Sequence, residues 1–198
     1  MTSSKSWALV VAGYSVLAVA MLAYLTVNGV SAPAAGTGGT AILLVLGLLL
    51  PAWGMLELAR RMDPLQAPAG KGLVLQSLSL TGFLIGFVVS FVASSLSGRL
   101  VSGVVIVLAG ISGLVGAIFI SKQARARQLV VAAALIAIGA VLIPASNIAV
   151  SADWLLDIDK NIYEDIGATI AGCGSVVVSM AMRKSPCVAG SRSPLVAS

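Results

Sequence analysis

Six long apolar runs, separated by short connections that carry nearly all the charge, set the pattern of this chain. They cover about 7–29, 40–60, 73–97, 100–121, 128–150 and 166–183. A helix rises 1.5 Å per residue, so about 20 apolar residues cross the ~30 Å hydrocarbon layer of a bilayer. Each run meets or approaches that length. The pattern predicts an all-α fold, a polytopic membrane bundle of six transmembrane helices arranged as three hairpins. Residues 1–184 form one transmembrane domain, and 185–198 read as a flexible tail. The first run follows Lys5 and precedes Ser31-Ala32-Pro33-Ala34, an order also found in secretory signal peptides. Its apolar stretch is longer than the roughly 7–15 residues of a signal core, so it is read as a retained span.

Composition narrows the class. The chain is 59% hydrophobic and 10% charged, whereas a soluble domain carries roughly 25% charged residues. Nothing is left over for a separate soluble domain. The formal net charge of +5 could point to nucleic acid, but the basic residues sit beside span ends. With the first span running inside to outside, ten of the twelve Lys and Arg fall on the inner side. These are Lys5, Arg60, Arg61, Lys71, Lys122, Arg125, Arg127, Arg183, Lys184 and Arg192, against Arg99 and Lys160 outside. Lys/Arg asymmetry in short loops sets orientation. Both termini are therefore expected in the cytoplasm, with lipid and not nucleic acid as the partner of the positive charge. Short loops and Ala/Gly/Val/Leu-rich spans suggest a prokaryotic plasma membrane. The basic span ends at Arg60-Arg61, Lys122 and Arg183-Lys184 recur every 61 to 62 residues. Any protein of short hairpins has such a rhythm, and residue identity between the hairpins is slight.

Within lipid, apolar burial does not separate helix–helix from helix–tail contact, and close approach through small residues matters more. The third span carries Gly82, Gly86, Ser90 and Ser94 on one face, and the sixth carries Gly167, Ala171, Ser175 and Ser179 in the same register. A shorter stripe, Ala109, Gly113 and Ala117, lies on the fourth. These are the expected packing faces. Phe83, Phe87 and Phe91 flank the third-span stripe, with packing as their expected role. Pro51 and Pro144 remove one helical hydrogen bond each and are expected to kink the second and fifth spans. Ser146 and Asn147 follow Pro144. With Asn28 at the outer end of the first span they form the most polar intramembrane cluster the sequence offers, and the candidate contact for a small solute.

Candidate chemistry is sparse. The chain has no His, which excludes His-ligated haem, His-bearing zinc sites and Ser–His or Cys–His dyads within it. Gly110-Ile111-Ser112-Gly113 resembles the nucleophile motif of rhomboid intramembrane proteases over four residues. That family pairs its Ser with a His on the last core span, where this chain reads Ile170-Ala171-Gly172-Cys173-Gly174. Asp157, Asp159 and Asn161 match the first ligand positions of an EF-hand loop, but Ile162 replaces its Gly and Ala168 its final Glu. Trp154, Ile158, Ile162 and Ile166 instead recur every four residues, as in an amphipathic interfacial helix or an outward extension of the sixth span. No ionisable residue is expected deep in a span, and Glu57 is expected to pair with the nearby Arg60 and Arg61 at the inner interface. Catalytic, metal and cofactor sites are expected to be absent. The sequence favours a non-catalytic accessory, assembly or stress-related membrane protein acting through helix and lipid contacts. The alternative is a small-solute transporter or channel near the two prolines, and a homo-oligomer or larger membrane complex stays open.

Overall fold

The computed structural model describes residues 3–29, 34–61, 68–92, 95–124, 127–152 and 157–184, with side chains described for 5–25, 39–61, 68–90, 92, 95–122, 127–150, 152 and 162–182. Among these residues the chain forms six helices and no strands: α1 Ser3–Gly29, α2 Ala34–Arg61, α3 Pro68–Val92, α4 Leu96–Ala124, α5 Arg127–Ser151 and α6 Asp157–Lys184. All six are long and apolar enough to cross a membrane. This is a multi-pass membrane bundle, as its hydropathy predicts.

Successive helices run antiparallel, and each packs on the next. The last, α6, returns to α1, so the six close into a ring. Packing is densest within the pairs α1/α2, α3/α4 and α5/α6 and lighter at the three seams between pairs. Lys5, Arg60, Arg61, Lys71, Lys122 and Arg127 all lie at one end of this ring, and Arg99 lies at the other.

Both faces of the helices are apolar, and on α5 they differ mainly in residue size. Helix α5 buries Ala132, Ala133, Ala137 and Ala140 and turns Val131 and Ile138 outward. Leu22, Ile42, Leu108 and Met180 likewise face out. In water, that much exposed large hydrophobe marks an interaction surface; around a spanning ring it is the lipid face.

Small residues inside let the backbones meet. Each hairpin has a crossing at which glycines face backbone of the opposite helix. In α1/α2, a Cβ on Gly47 would lie 2.8 Å from Leu17 N, and one on Gly13 would lie 2.7 Å from Pro51 N. In α3/α4, a Cβ on Gly72 would lie 2.7 Å from Gly116 O, and the reverse distance is 2.8 Å. In α5/α6, Gly139 and Gly167 face each other in the same way. The three crossings share a geometry but not a height: Gly72 is one turn into its helix, Gly13 and Gly139 about three.

Helices α2 and α3 start five to six residues before the expected spans, and two further differences bear on the packing and the site. The third span was expected to reach residue 97, but α3 ends at Val92 and α4 starts at Leu96. Ser95 explains the restart. Its Oγ accepts the Gly98 N–H at 3.2 Å and its carbonyl accepts the Arg99 N–H at 3.1 Å, which is the geometry of an N-cap. The second difference concerns α6, which begins at Asp157, well before residue 166. Asp157, Asp159 and Asn161 thus lie in its first turns and not in a ligand loop. Ile162 and Ile166 are exposed, in keeping with an outward extension of the sixth span. Trp154 and Ile158 side chains lie outside the described residues.

Candidate functional site

The longer α6 carries a carboxylate into the bundle. Glu164 lies within the apolar span Ile162–Met182, and only 6% of it is exposed. The sequence reading places Glu164 in the outer connection, before a span beginning at 166; the structure places it in the outermost turn of that span. A hydropathy window starting at residue 166 reads Glu164 as loop. In the helix, it is one turn from Ala168 on the buried face that continues through Ala171 and Ser175.

Three helices converge on Glu164. Tyr24 of α1 donates its hydroxyl to Glu164 Oε2 at 2.8 Å. Asn147 of α5 donates Nδ2 to Glu164 Oε1 at 2.8 Å and to Ile143 O of its own helix at 3.0 Å. Arg99 of α4 donates Nη1 to Asn147 O at 3.3 Å, which ties a fourth helix to the node. A buried carboxylate with hydrogen bonds to both oxygens is an ordered structural element, since each bond holds a group that lipid cannot solvate. The node fastens α6 to α1 across the seam that closes the ring, and to α5 beside it. A turn or two beneath Asp165, Thr169 bonds only within its own helix.

Of the residues proposed to contact a solute, Asn147 is in this node. Ser146 is buried beside it but donates to Ile143 O of its own helix at 2.7 Å. The side chain of Asn28 lies outside the described residues. Pro144 and Pro51 both sit inside continuous helices, α5 and α2. Pro51 seats its ring against Gly13, so it is part of a helix crossing.

The packing residues distribute as follows. Gly82 faces Ala109 and Gly86 faces Ile106, so the α3 stripe meets α4. Ser90 is half-buried, and Ser94 lies outside the described residues. On α6, Gly167 and Ala171 meet Gly139 of α5, Ser175 bonds Ala171 O within its helix, and Ser179 pairs with Ser15 of α1 at 3.0 Å. Each stripe is therefore used within the chain. Phe83 and Phe87 are core residues, and the Phe91 side chain lies outside the described residues. Glu57 and Arg60 form the expected ion pair at 3.1 Å, an exposed contact of little energetic weight.

A second polar group lies deeper. Gln76 donates Nε2 to Gly113 O at 2.6 Å, Ser112 donates to Leu75 O at 3.1 Å and Ser77 donates to Ala52 O at 2.9 Å. Three successive residues of α3 thus bond both neighbouring helices. For Ser112 this is a structural role, as a donor between helices. Tyr14, Gln76 and Ser79 border a central void of about 20 Å³, enough for one water molecule. On α6 the void touches Val178 and Met182. The nearer, Val178, lies about four turns, roughly 20 Å, from Glu164. Buried Ala168, Ala171 and Ser175 fill that interval.

Comparison of the chain with models of protein families, with curated proteins and with solved structures gives no match. Its function has to be argued from the geometry.

Proposed function

We propose that this chain is a non-catalytic accessory or assembly component of a membrane, working through its helix and lipid contacts. The observation that supports this most directly is the filling of the ring. Four turns of packed side chains separate the Glu164 node from a void that holds one water, and all three hairpins touch backbone to backbone at glycine. Such an interior suits a rigid body that presents an outer surface. On this reading the protein has no catalytic role and needs no cofactor. It sits in a prokaryotic plasma membrane with both termini cytoplasmic, and its partners are lipids and a larger membrane assembly. The test is the mass of the intact particle extracted in mild detergent from its native membrane. A stoichiometric second polypeptide is expected, and a monomer with no partner would overturn the reading.

A second reading, a small-solute carrier in a closed state, draws on Glu164 itself, because carriers place ionisable groups inside spans. It predicts that Asn147→Leu abolishes flux into liposomes while expression and folding persist. Normal flux in that variant, or none in the wild type, would remove it.

A further inference from the structure

Among the described residues, the outer surface carries a groove of about 320 Å³ between α4 and α5. Its volume falls in the ~300–1,000 Å³ range of small-ligand clefts. Gly103 and Pro144 make it concave: the glycine adds no side chain, and the proline presents a flat ring. Leu100, Val104 and Leu108 form one wall and Ile148 part of the other. The walls are entirely apolar and the α4 side is well exposed. One cation stands at the mouth. Arg99 immediately precedes Leu100, and it bonds the carbonyl of Asn147, the residue before Ile148. The guanidinium therefore bridges the tops of the two walls.

The dimensions identify an occupant. From Arg99 to Leu108 the groove descends nine residues of α4, about 13.5 Å at 1.5 Å per residue. One leaflet of a ~30 Å hydrocarbon core is about 15 Å deep. A guanidinium at the interface end of a leaflet-deep apolar slot matches a lipid that carries an anionic phosphate above an acyl chain. Arginine suits that phosphate because its five N–H donors serve several acceptors at once, so a phosphate contact adds to the bond to Asn147 and does not require Arg99 to be otherwise unpartnered.

We infer that the α4/α5 groove is a binding site for one membrane phospholipid, with an acyl chain along Gly103 and Pro144 and the phosphate on Arg99. This inference rests on the reading that the protein works through lipid contacts, and it supplies the lipid class and the place. The ring end that carries Arg99 then holds an ordered lipid, and the surface offered to any partner at that seam is part lipid.

The test is native mass spectrometry of the protein released from micelles doped with dioleoylphosphatidylglycerol. Parallel samples contain dioleoylglycerol, which has the same chains and no phosphate. The wild type should retain one phospholipid and little of the phosphate-free lipid. Arg99→Gln should weaken retention about tenfold to a hundredfold, as expected for loss of charge-assisted hydrogen bonds. Gly103→Leu should abolish retention by filling the slot. It should still fold, because a Cβ there meets only the flexible end of Ile148, at 3.0 Å. A diazirine on the acyl chain of the same lipid should label peptides spanning 100–108 and 141–148 of the wild type, a readout independent of variant folding. The inference is overturned if no phospholipid is retained, if the phosphate-free lipid is retained equally, if both variants bind like the wild type, or if the label falls elsewhere. A second copy of the chain or a partner polypeptide crosslinked in the groove would also overturn it. The same spectra count stoichiometric polypeptides separately from lipids, so loss of the lipid site and loss of the accessory reading are distinguishable.

Discussion

Replacing Gly139 with alanine asks whether backbone contact between helices holds the ring. A Cβ at Gly139 would lie 2.6 Å from Ala171 N and 2.8 Å from Ala171 Cβ, and it would also press on Gly167 O. Ordinary contact begins near 3.4 Å, so α5 and α6 must part by roughly 0.8 Å at the crossing. The obstacles are backbone and a Cβ, and no change of rotamer relieves them. Adding a methyl group to a well-packed interior costs about 1–3 kcal/mol. Alanine recovers about 1 kcal/mol of helix propensity, which leaves a net loss of about 1 kcal/mol. Gly39→Ala is the matched control. Nothing lies within 4 Å of its added Cβ, so it keeps the propensity gain without the clash. The two variants should therefore differ by about 2 kcal/mol. Reversible unfolding by sodium dodecyl sulfate in mixed micelles, followed by circular dichroism, measures this difference. If Gly139→Ala unfolds at the same detergent fraction as Gly39→Ala, or a higher one, the glycine crossings do not carry the fold.

Three further outcomes are expected. A double-mutant cycle of Tyr24→Phe and Glu164→Gln in the same unfolding assay should give a coupling of about 0.6–1.7 kcal/mol, the range of interhelical hydrogen bonds in membranes; additive losses would mean that the 2.8 Å contact contributes nothing. Gln76→Leu should lower stability by a similar amount, about 1 kcal/mol, through loss of the bond to Gly113 O. Ser95→Ala should destabilise the start of α4 by about 0.5–2 kcal/mol and speed amide exchange at Gly98, and unchanged exchange there would count against the N-cap.

The spans were legible because a bilayer demands about 20 consecutive apolar residues, a requirement that hydropathy reads directly. The α3 stripe at Gly82 and Gly86 and the α6 stripe at Gly167 and Ala171 were legible for a related reason, since small residues four apart share a helix face. Which helices those faces would meet was not legible, because any small-residue stripe fits any other of similar length. Gly139 was missed as the partner of the α6 stripe, since it is the sole glycine of α5, and Gly72 and Gly13, which meet Gly116 and Pro51, were missed because neither belongs to a small-residue stripe. Glu164 was missed because averaging over a window merges it with the acids around it, although helical spacing from Ala168 and Ala171 places it on the buried face. The void beside Tyr14, Gln76 and Ser79 depends on three-dimensional fit among all six helices, and no local pattern encodes it.

The bond from Tyr24 to Glu164 joins residues 140 positions apart, across the seam between the first and last helices. Biosynthesis delivers them in that order, because an N-terminal segment is made and inserted first. Each glycine-crossed hairpin can form as soon as its second helix arrives. The α1/α6 seam must wait for α6. Until then Tyr24 lacks its bond to Glu164, and Ser15 has its bond to Val11 O of its own helix at 2.9 Å without the contact to Ser179. The arrival of α6 adds two contacts at once, Glu164 to Tyr24 and Ser179 to Ser15. Ring closure therefore trails the hairpins, and a product that stops before α6 lacks both of the side-chain bonds that fasten α1 across this seam.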